Sequence, residues 1–176
     1  MNTPNNKRRR DSVRKIEKTF IELLQEKPLK EISVADICQG CGLNRSTFYA
    51  NFVDIYDLAD KLRLKLEAKF AELFSDFDPT GDTDSALRLF THIRENQSFY
   101  QTYFKLSTDG GHRLLLYSLP RAEEEFGKEH LKYHREFFRC GVNAIVRLWL
   151  EGGCAETPEE MAEILRLEYR GRQTQQ

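Results

Sequence analysis

The stretch ISVADICQGCGLNRSTFYANF, residues 32–52, decides the fold. Ser33 stands where a helix N-cap belongs, and Asp36 three residues on is its capping-box partner, in a place where Glu or Gln is more usual. A short helix follows, Gly40 and Gly42 break it, and Asn44 caps a second short helix from Arg45 to Asn51 or Phe52. Two short helices joined by a tight glycine-containing turn form the helix-turn-helix pattern of DNA readers. The second helix carries suitable chemistry. Arg45, Ser46, Thr47, Tyr49 and Asn51 offer donors to phosphates and base edges, while Phe48 and Phe52 turn inward as hydrophobic anchors.

Working outward, Val13, Ile16, Phe20, Leu23 and Leu24 recur at three- and four-residue intervals and predict a helix over Asp11–Glu26, ended by Pro28. The residues before it are expected to form a flexible basic arm, 1–11. Seven Lys and Arg fall within the first eighteen residues (Lys7, Arg8, Arg9, Arg10, Arg14, Lys15, Lys18) against Asp11 and Glu17. Such an arm follows a DNA backbone or enters a minor groove, with Arg9 and Arg10 as its contacts; the plain alternative is a solvated tail. Downstream, Asp54 caps a long helix whose stripe is Ile55, Leu58, Ala59, Leu62, Leu66, Phe70 and Leu73. The run DFDPTGDTDS, residues 76–85, reads as a turn-rich linker.

Beyond it, Ala86, Leu89, Phe90 and Ile93 mark one helix, and Phe99, Tyr100, Tyr103 and Phe104 form an aromatic cluster on another, interrupted at Asp109-Gly110-Gly111. Pro120 kinks or splits the segment from His112 to Phe126. From Lys128 to Glu151 the apolar positions cover more than one face, so that helix is expected to be buried on two sides. Thr157, Pro158 and Glu160 start a final helix with a matching capping box. The expectation is all-α: an N-terminal helix-turn-helix domain over 12–66 and a helical C-terminal dimerisation and effector domain over 67–176, with about nine helices and no strand.

Composition agrees with a folded chain of this kind. The 176 residues are 40% hydrophobic and 31% charged, with 10 Gly and 5 Pro, unlike collagen or low-complexity chains. The net charge of -1 is unevenly spread: residues 1–65 carry 13 Lys and Arg against 9 Asp and Glu, and residues 66–176 carry 14 against 19. No stretch has the length and apolarity of a membrane span, and the start MNTPNNKRRRDSVRK lacks a signal-peptide core, which predicts a cytoplasmic protein with no membrane partner. Cys38, Cys41, Cys140 and Cys154 are then expected to be thiols.

The run ISVADICQGCGLNRSTFYANFVDIYDLADKL, residues 32–62, together with the preceding KIEKTFIELLQEKPLKE, resembles the DNA-binding domain of TetR-family transcriptional regulators. The I-[ST]-V-x-D-I spacing, the G-x-N-R-S-T-F-Y block and the F-x-x-x-x-D-L tail occur together and in order, and the match covers about residues 12–66. The helical remainder, including RLWLEGGCAETPEEMAEIL over 147–165, is similar to the C-terminal domains of a TetR-like subgroup frequent in Gram-positive bacteria. The resemblance implies a homodimer paired through its last two long helices and a double-stranded DNA operator as partner. It makes Arg45, Ser46, Thr47 and Tyr49 the DNA-contact set, adds Asn44 and Asn51, and makes Ser33 a cap that also touches phosphate. Two departures stand out. Ile55 occupies the place of a lysine often found three residues after the Phe, and Val53 replaces a commonly basic neighbour, so affinity leans on the basic arm.

Other groups admit sharper and plainer readings. Cys38-x-x-Cys41 lacks a second ligand pair, and His130, His134, Glu129 and His112 are more simply solvated or core residues than metal ligands, so no metal and no cofactor is expected. Phe99, Tyr100, Tyr103, Phe104, His134, Phe137 and Phe138 are either an effector pocket or ordinary core. Ile145, Leu148, Trp149 and Leu165 are the expected dimer interface. No nucleophile elbow, phosphate-binding glycine loop or H-E-x-x-H helix occurs, and the chain is not expected to be an enzyme. The function expected is a homodimeric regulator, a repressor on a palindromic operator released by a small-molecule effector. The alternative is a regulator or activator controlled by a protein partner at the C-terminal domain.

Overall fold

A computed structural model describes residues 7–74, 83–106 and 129–170, and every regular element among them is helical. In chain order these are α1 (Lys7–Glu26), a 3-10 turn (Leu29–Glu31), α2 (Val34–Cys41), α3 (Arg45–Tyr49), α4 (Ile55–Leu73), α5 (Thr83–Glu95), α6 (Gln97–Lys105), α7 (Leu131–Glu151) and α8 (Pro158–Arg170). The architecture is all-α, with eight α-helices among the described residues against the nine or so expected. The predicted break at Asp109–Gly111, His112 and the Pro120 segment lie outside the described residues. The described chain divides into two compact units, residues 7–66 with 102–106, and residues 67–74 and 83–101 with 129–170.

The N-terminal unit is built on the helix-turn-helix. The Ser33 side chain accepts from the Asp36 amide at 3.1 Å and the Asp36 carboxylate accepts from the Ser33 amide at 2.9 Å, so the aspartate closes a complete capping box. Lys27 Nζ donates to the same carboxylate at 2.8 Å. These bonds, the lysine's first, hold the Asp36 carboxyl at about 2, below its usual value. A carboxyl depressed in the folded state adds stability above its unfolded value near 4, and that stability is lost as pH falls through the folded value. Asp36→Asn is therefore expected to flatten the pH dependence of thermal stability between about pH 4 and 2; an unchanged acid profile contradicts the assignment.

The two glycines act differently from each other. Gly42 ends α2 in the left-handed conformation, φ 67°, and its amide and that of Leu43 both turn back to the Cys38 carbonyl. Gly40 does not break the helix, as the sequence led us to expect; it lies within α2 where α2 meets α1. A Cβ there falls 2.6 Å from Thr19 Cγ2, and Thr19 is itself buried. Gly40→Ala is expected to destabilise the unit by about 1–3 kcal/mol from overpacking, despite alanine's higher helix propensity. Adding Thr19→Ser, which removes the clashing methyl, should recover the loss in thermal unfolding; equal instability of the double variant contradicts this contact.

Ile16, Phe20 and Leu24 of α1 form the centre of this unit with Ile37 of α2, Phe48 of α3 and Leu58 of α4, all essentially inaccessible to water. Phe48 and Phe52 thus anchor the second short helix as expected, their rings 5.5 Å apart. Asp54 caps α4, its carboxylate accepting from the Asp57 amide at 2.8 Å. One expectation is corrected. α1 begins at Lys7, so Lys7–Arg10 are its first turn and not a flexible arm; residues 1–6 lie outside the described residues.

In the second unit, α5 packs against α8, and α7 adds Val142, Val146, Trp149 and Leu150 to a core with Leu89, Phe90, Met161 and Leu165. α8 starts with the predicted capping box, Thr157 amide to Glu160 at 2.7 Å and Glu160 amide to Thr157 at 3.2 Å. α5 begins at Thr83, inside the stretch expected to be linker. At the end of α4, Phe74 is buried and Leu73 is exposed, the reverse of the projected stripe. α7 is not buried on two sides within one chain: Tyr133, Phe137 and Leu148 are exposed on it.

Candidate nucleic-acid interface

The residues of α3 divide cleanly by exposure. Phe48 is fully buried, whereas Asn44, Arg45, Ser46 and Tyr49 are exposed and Thr47 is half-buried. Five helical residues make little more than one turn, so this helix depends on tertiary anchoring by Phe48 and Phe52. The Tyr49 ring rests edge-on against Phe48, centroids 5.5 Å apart, which fixes the direction of an exposed phenol. Asn44 has N-cap backbone geometry, but its side chain makes no capping bond. The expected Asn44 side-chain cap is thus corrected, and its amide remains available to a ligand. Ser33 is exposed; its oxygen accepts the capping bond, and a hydroxyl so engaged still has a hydrogen to donate.

Asn51 departs from its expected role. Its Oδ1 accepts from Arg9 Nε at 2.9 Å, and its Nδ2 donates to the Thr47 carbonyl at 2.8 Å. Both ends of the amide carry a bond within the protein, which competes with a base-reading role. The same bond places the first turn of α1 beside the end of α3. That turn, Lys7–Arg10, contains four cations and no acid, opposite to what the positive end of a helix dipole favours. An external anion relieves that conflict. An open cleft of about 300 Å³ continues from it, lined by Arg9, Arg10, Val13, Arg14, Glu17 and Lys65. Lys65 Nζ lies 2.7 Å from the largely buried Glu17, tying α4 to α1.

Lys61 was missed by the sequence reading. Its Nζ reaches the Asn51 carbonyl at 3.3 Å and Asp57 at 2.8 Å, and stands over the Phe52 ring. The signal was the i, i+4 pairing with Asp57 in the first turns of α4. The Asp57 carboxylate, also accepting from the Val53 amide at 2.9 Å, is held below its usual value chiefly by Lys61. Cys38 is buried, which pushes its thiol up, and Cys41 Sγ lies 3.8 Å from the Cys38 carbonyl.

The aromatic residues expected around an effector are divided between the two units. Phe99 and Tyr100 lie in the second unit with His134, Phe137 and Phe138, whereas Tyr103 and Phe104 fall in the first. Tyr100 is fully buried; its hydroxyl is 2.7 Å from His92 Nδ1, and Phe70 and His92 meet its ring edge-on. Burial pushes the Tyr100 phenol up and the His92 imidazole down. A fully buried phenol bonded in this way packs as part of the core. Tyr103 is likewise fully buried, Phe99, Phe104 and Phe138 are half-buried, and His134 and Phe137 are exposed.

The expected dimer residues also separate. Trp149 is buried against Phe90, centroids 5.5 Å apart, and its indole N–H donates to the Glu156 carbonyl at 3.2 Å; Leu165 is buried in the same core. Neither offers surface to a second copy. Leu148 is 70% exposed and Ile145 half-buried on α7, and α8 exposes Ile164 and Leu167. A Cβ at Gly141 on α7 meets nothing within 4 Å. Among the described residues no helix is long and apolar enough to cross a membrane, and no group of three or more His, Cys, Asp or Glu is placed to hold a metal ion.

Residues 83–167 match a family model described as a transcriptional regulator C-terminal region of the TetR type. The chain is 35% identical over 102 residues to the HTH-type dhaKLM operon transcriptional activator DhaS of Lactococcus lactis subsp. lactis (strain IL1403), covering 57% of this chain and 53% of that protein. It thus spans about half the length of the curated relative it matches. A TetR transcriptional regulator from Streptococcus agalactiae 2603V shares the fold, with a TM-score of 0.67 at 19% identity over 92% of this chain and 95% of the other. A solved dihydroxyacetone kinase operon activator DhaS aligns with a TM-score of 0.50 and 25% identity over the same shares.

Proposed function

We propose that this chain, which belongs to the TetR family of transcriptional regulators, binds a palindromic DNA operator as a homodimer and through it regulates transcription, without enzymatic activity. The observation that carries the reading is the pairing of α3's exposed edge, Arg45, Ser46 and Tyr49, with the all-basic first turn of α1, bonded to α3's end through Arg9. Base-edge donors and phosphate-seeking cations then face one duplex. Two such units reach successive major grooves about 34–36 Å apart when the copies pair. The exposed Leu148 of α7 and Ile164 and Leu167 of α8, with the half-buried Ile145, suit that pairing.

A second reading concerns the sign and the signal. The activator names of the two DhaS relatives favour activation over repression. The bonded Tyr100 favours control by a protein partner at the C-terminal domain over a small molecule lodged among these aromatics. Tyr133 and Phe137, exposed on the first half of α7, supply anchors of the kind protein partners use. Either signal must bind one spacing of the two DNA-binding units better than the other; a coupling of about 1–3 kcal/mol changes operator affinity roughly 5- to 150-fold.

The test is retention of fragmented genomic DNA by the purified protein at about 0.15 M salt, followed by transcription in vitro from the retained promoters. A small discrete set of fragments with raised transcription supports the activator reading, and lowered transcription supports a repressor. Uniform retention that vanishes with added salt overturns sequence-specific binding.

A further inference from the structure

Asn51 is a junction of three helices in the N-terminal unit. Its Oδ1 accepts from Arg9 Nε on α1 at 2.9 Å, its Nδ2 donates to the Thr47 carbonyl on α3 at 2.8 Å, and its own carbonyl accepts from Lys61 Nζ on α4 at 3.3 Å. Its backbone amide donates to the Phe48 carbonyl at 2.9 Å. An amide that reads adenine needs both its oxygen and its nitrogen turned to the base. Here both are turned to the protein. The guanidinium of Arg9 is in the opposite position. It has five N–H donors in one plane, and the bond to Asn51 engages Nε alone. That bond restrains the guanidinium and leaves its terminal N–H groups to form the fork that suits a phosphate.

We propose that Asn51 is a positioning residue, setting the direction of α3 through Thr47 and aiming the Arg9 guanidinium at a DNA phosphate. The inference rests on the DNA-binding reading above and deepens it. Recognition helix and backbone clamp then move as one piece, because a single side chain is bonded to both. Ile55 and Val53 supply no cation beside the turn after α3, so a fixed Arg9 takes up that contact from α1. Lys61 completes the junction from the α4 side.

The experiment compares wild type, Asn51→Ala, Arg9→Gln and the double variant. Arg9→Gln leaves the Thr47 bond in place and so guards against a variant that simply fails to fold. Operator affinity is measured over a salt series, with base preference measured at each operator position. Asn51→Ala is expected to weaken binding about 10- to 100-fold and to lower the slope of log affinity against log salt by about 0.9 per protomer, as Arg9→Gln also does. The double variant should be no weaker than Asn51→Ala, and no single base pair should lose its preference while the others keep theirs. Loss of preference at one base pair with an unchanged salt slope makes Asn51 a base reader and overturns the proposal; so do additive losses in the double variant. A readout without DNA separates this from failure of the DNA-binding reading. The Arg9 Nε–H resonance should shift and exchange faster in Asn51→Ala, and a resonance unaffected by that change also overturns the junction. Wild-type protein that selects no sequence overturns the DNA-binding reading instead.

Discussion

Alanine at both Arg45 and Tyr49 is expected to abolish specific operator binding while the fold and the dimer persist. Both side chains project from α3 into solvent, with Tyr49 56% exposed, so their removal leaves no cavity in the core. A well-made contact to a base is worth about 1–3 kcal/mol of discrimination, and two lost on each protomer predict a fall of ~100-fold or more. The residual binding should be the salt-dependent phosphate term supplied by the cations of α1. Tyr49→Phe separates the phenol's hydrogen bond from its ring, which remains against Phe48. Circular dichroism and sedimentation checked against wild type keep the test honest about folding. Unchanged operator affinity in the double variant contradicts the assignment of α3 as the reading helix.

The second large effect is expected at the uncovered face of the last two helices. Leu148→Asp combined with Leu167→Asp places charges at two apolar side chains that are exposed on one chain and that the proposed pairing covers. Loss of interface anchors worth about 2 kcal/mol or more each predicts a dimer weakened ~1000-fold or beyond. Each protomer should stay folded, because neither leucine belongs to its core, and operator binding should fall with the dimer. Trp149→Ala is the contrasting variant. Its ring is packed on Phe90 inside one protomer, so truncation should cost about 3–5 kcal/mol of protomer stability and lower the melting temperature. Sedimentation equilibrium and thermal unfolding read the two apart. A stable dimer of the double aspartate variant contradicts this face as the interface.

Sequence periodicity and capping chemistry made most of the fold legible. Ser33–Asp36 and Thr157–Glu160 are local signals, complete within four residues, and both capping boxes formed. The spacing of Phe48 and Phe52 identified which edge of α3 turns inward. Where tertiary neighbours decide, the sequence was silent. Gly40 looks like a helix breaker until α1 brings the Thr19 methyl against it. Trp149 and Leu148 are adjacent in sequence, and only the packing of Trp149 on Phe90 of α5 assigns one to the core and the other to solvent. Asn51 has a base reader's chemistry, and its commitment to Arg9 spans 42 residues that no local pattern connects. The run of cations read as an arm is helical from Lys7, where charge repulsion and the helix dipole both argue against helix without an anion nearby.

The most direct test is selection of bound sequences from a random duplex pool by the purified protein, at two salt concentrations. The account predicts an inverted repeat whose half-sites are one helical turn apart, or a multiple of it, recovered at both salts with fewer molecules retained at the higher one. Binding at low salt without any shared sequence would contradict it, leaving the basic face of α1 as a non-specific polyanion surface and α3 without its role.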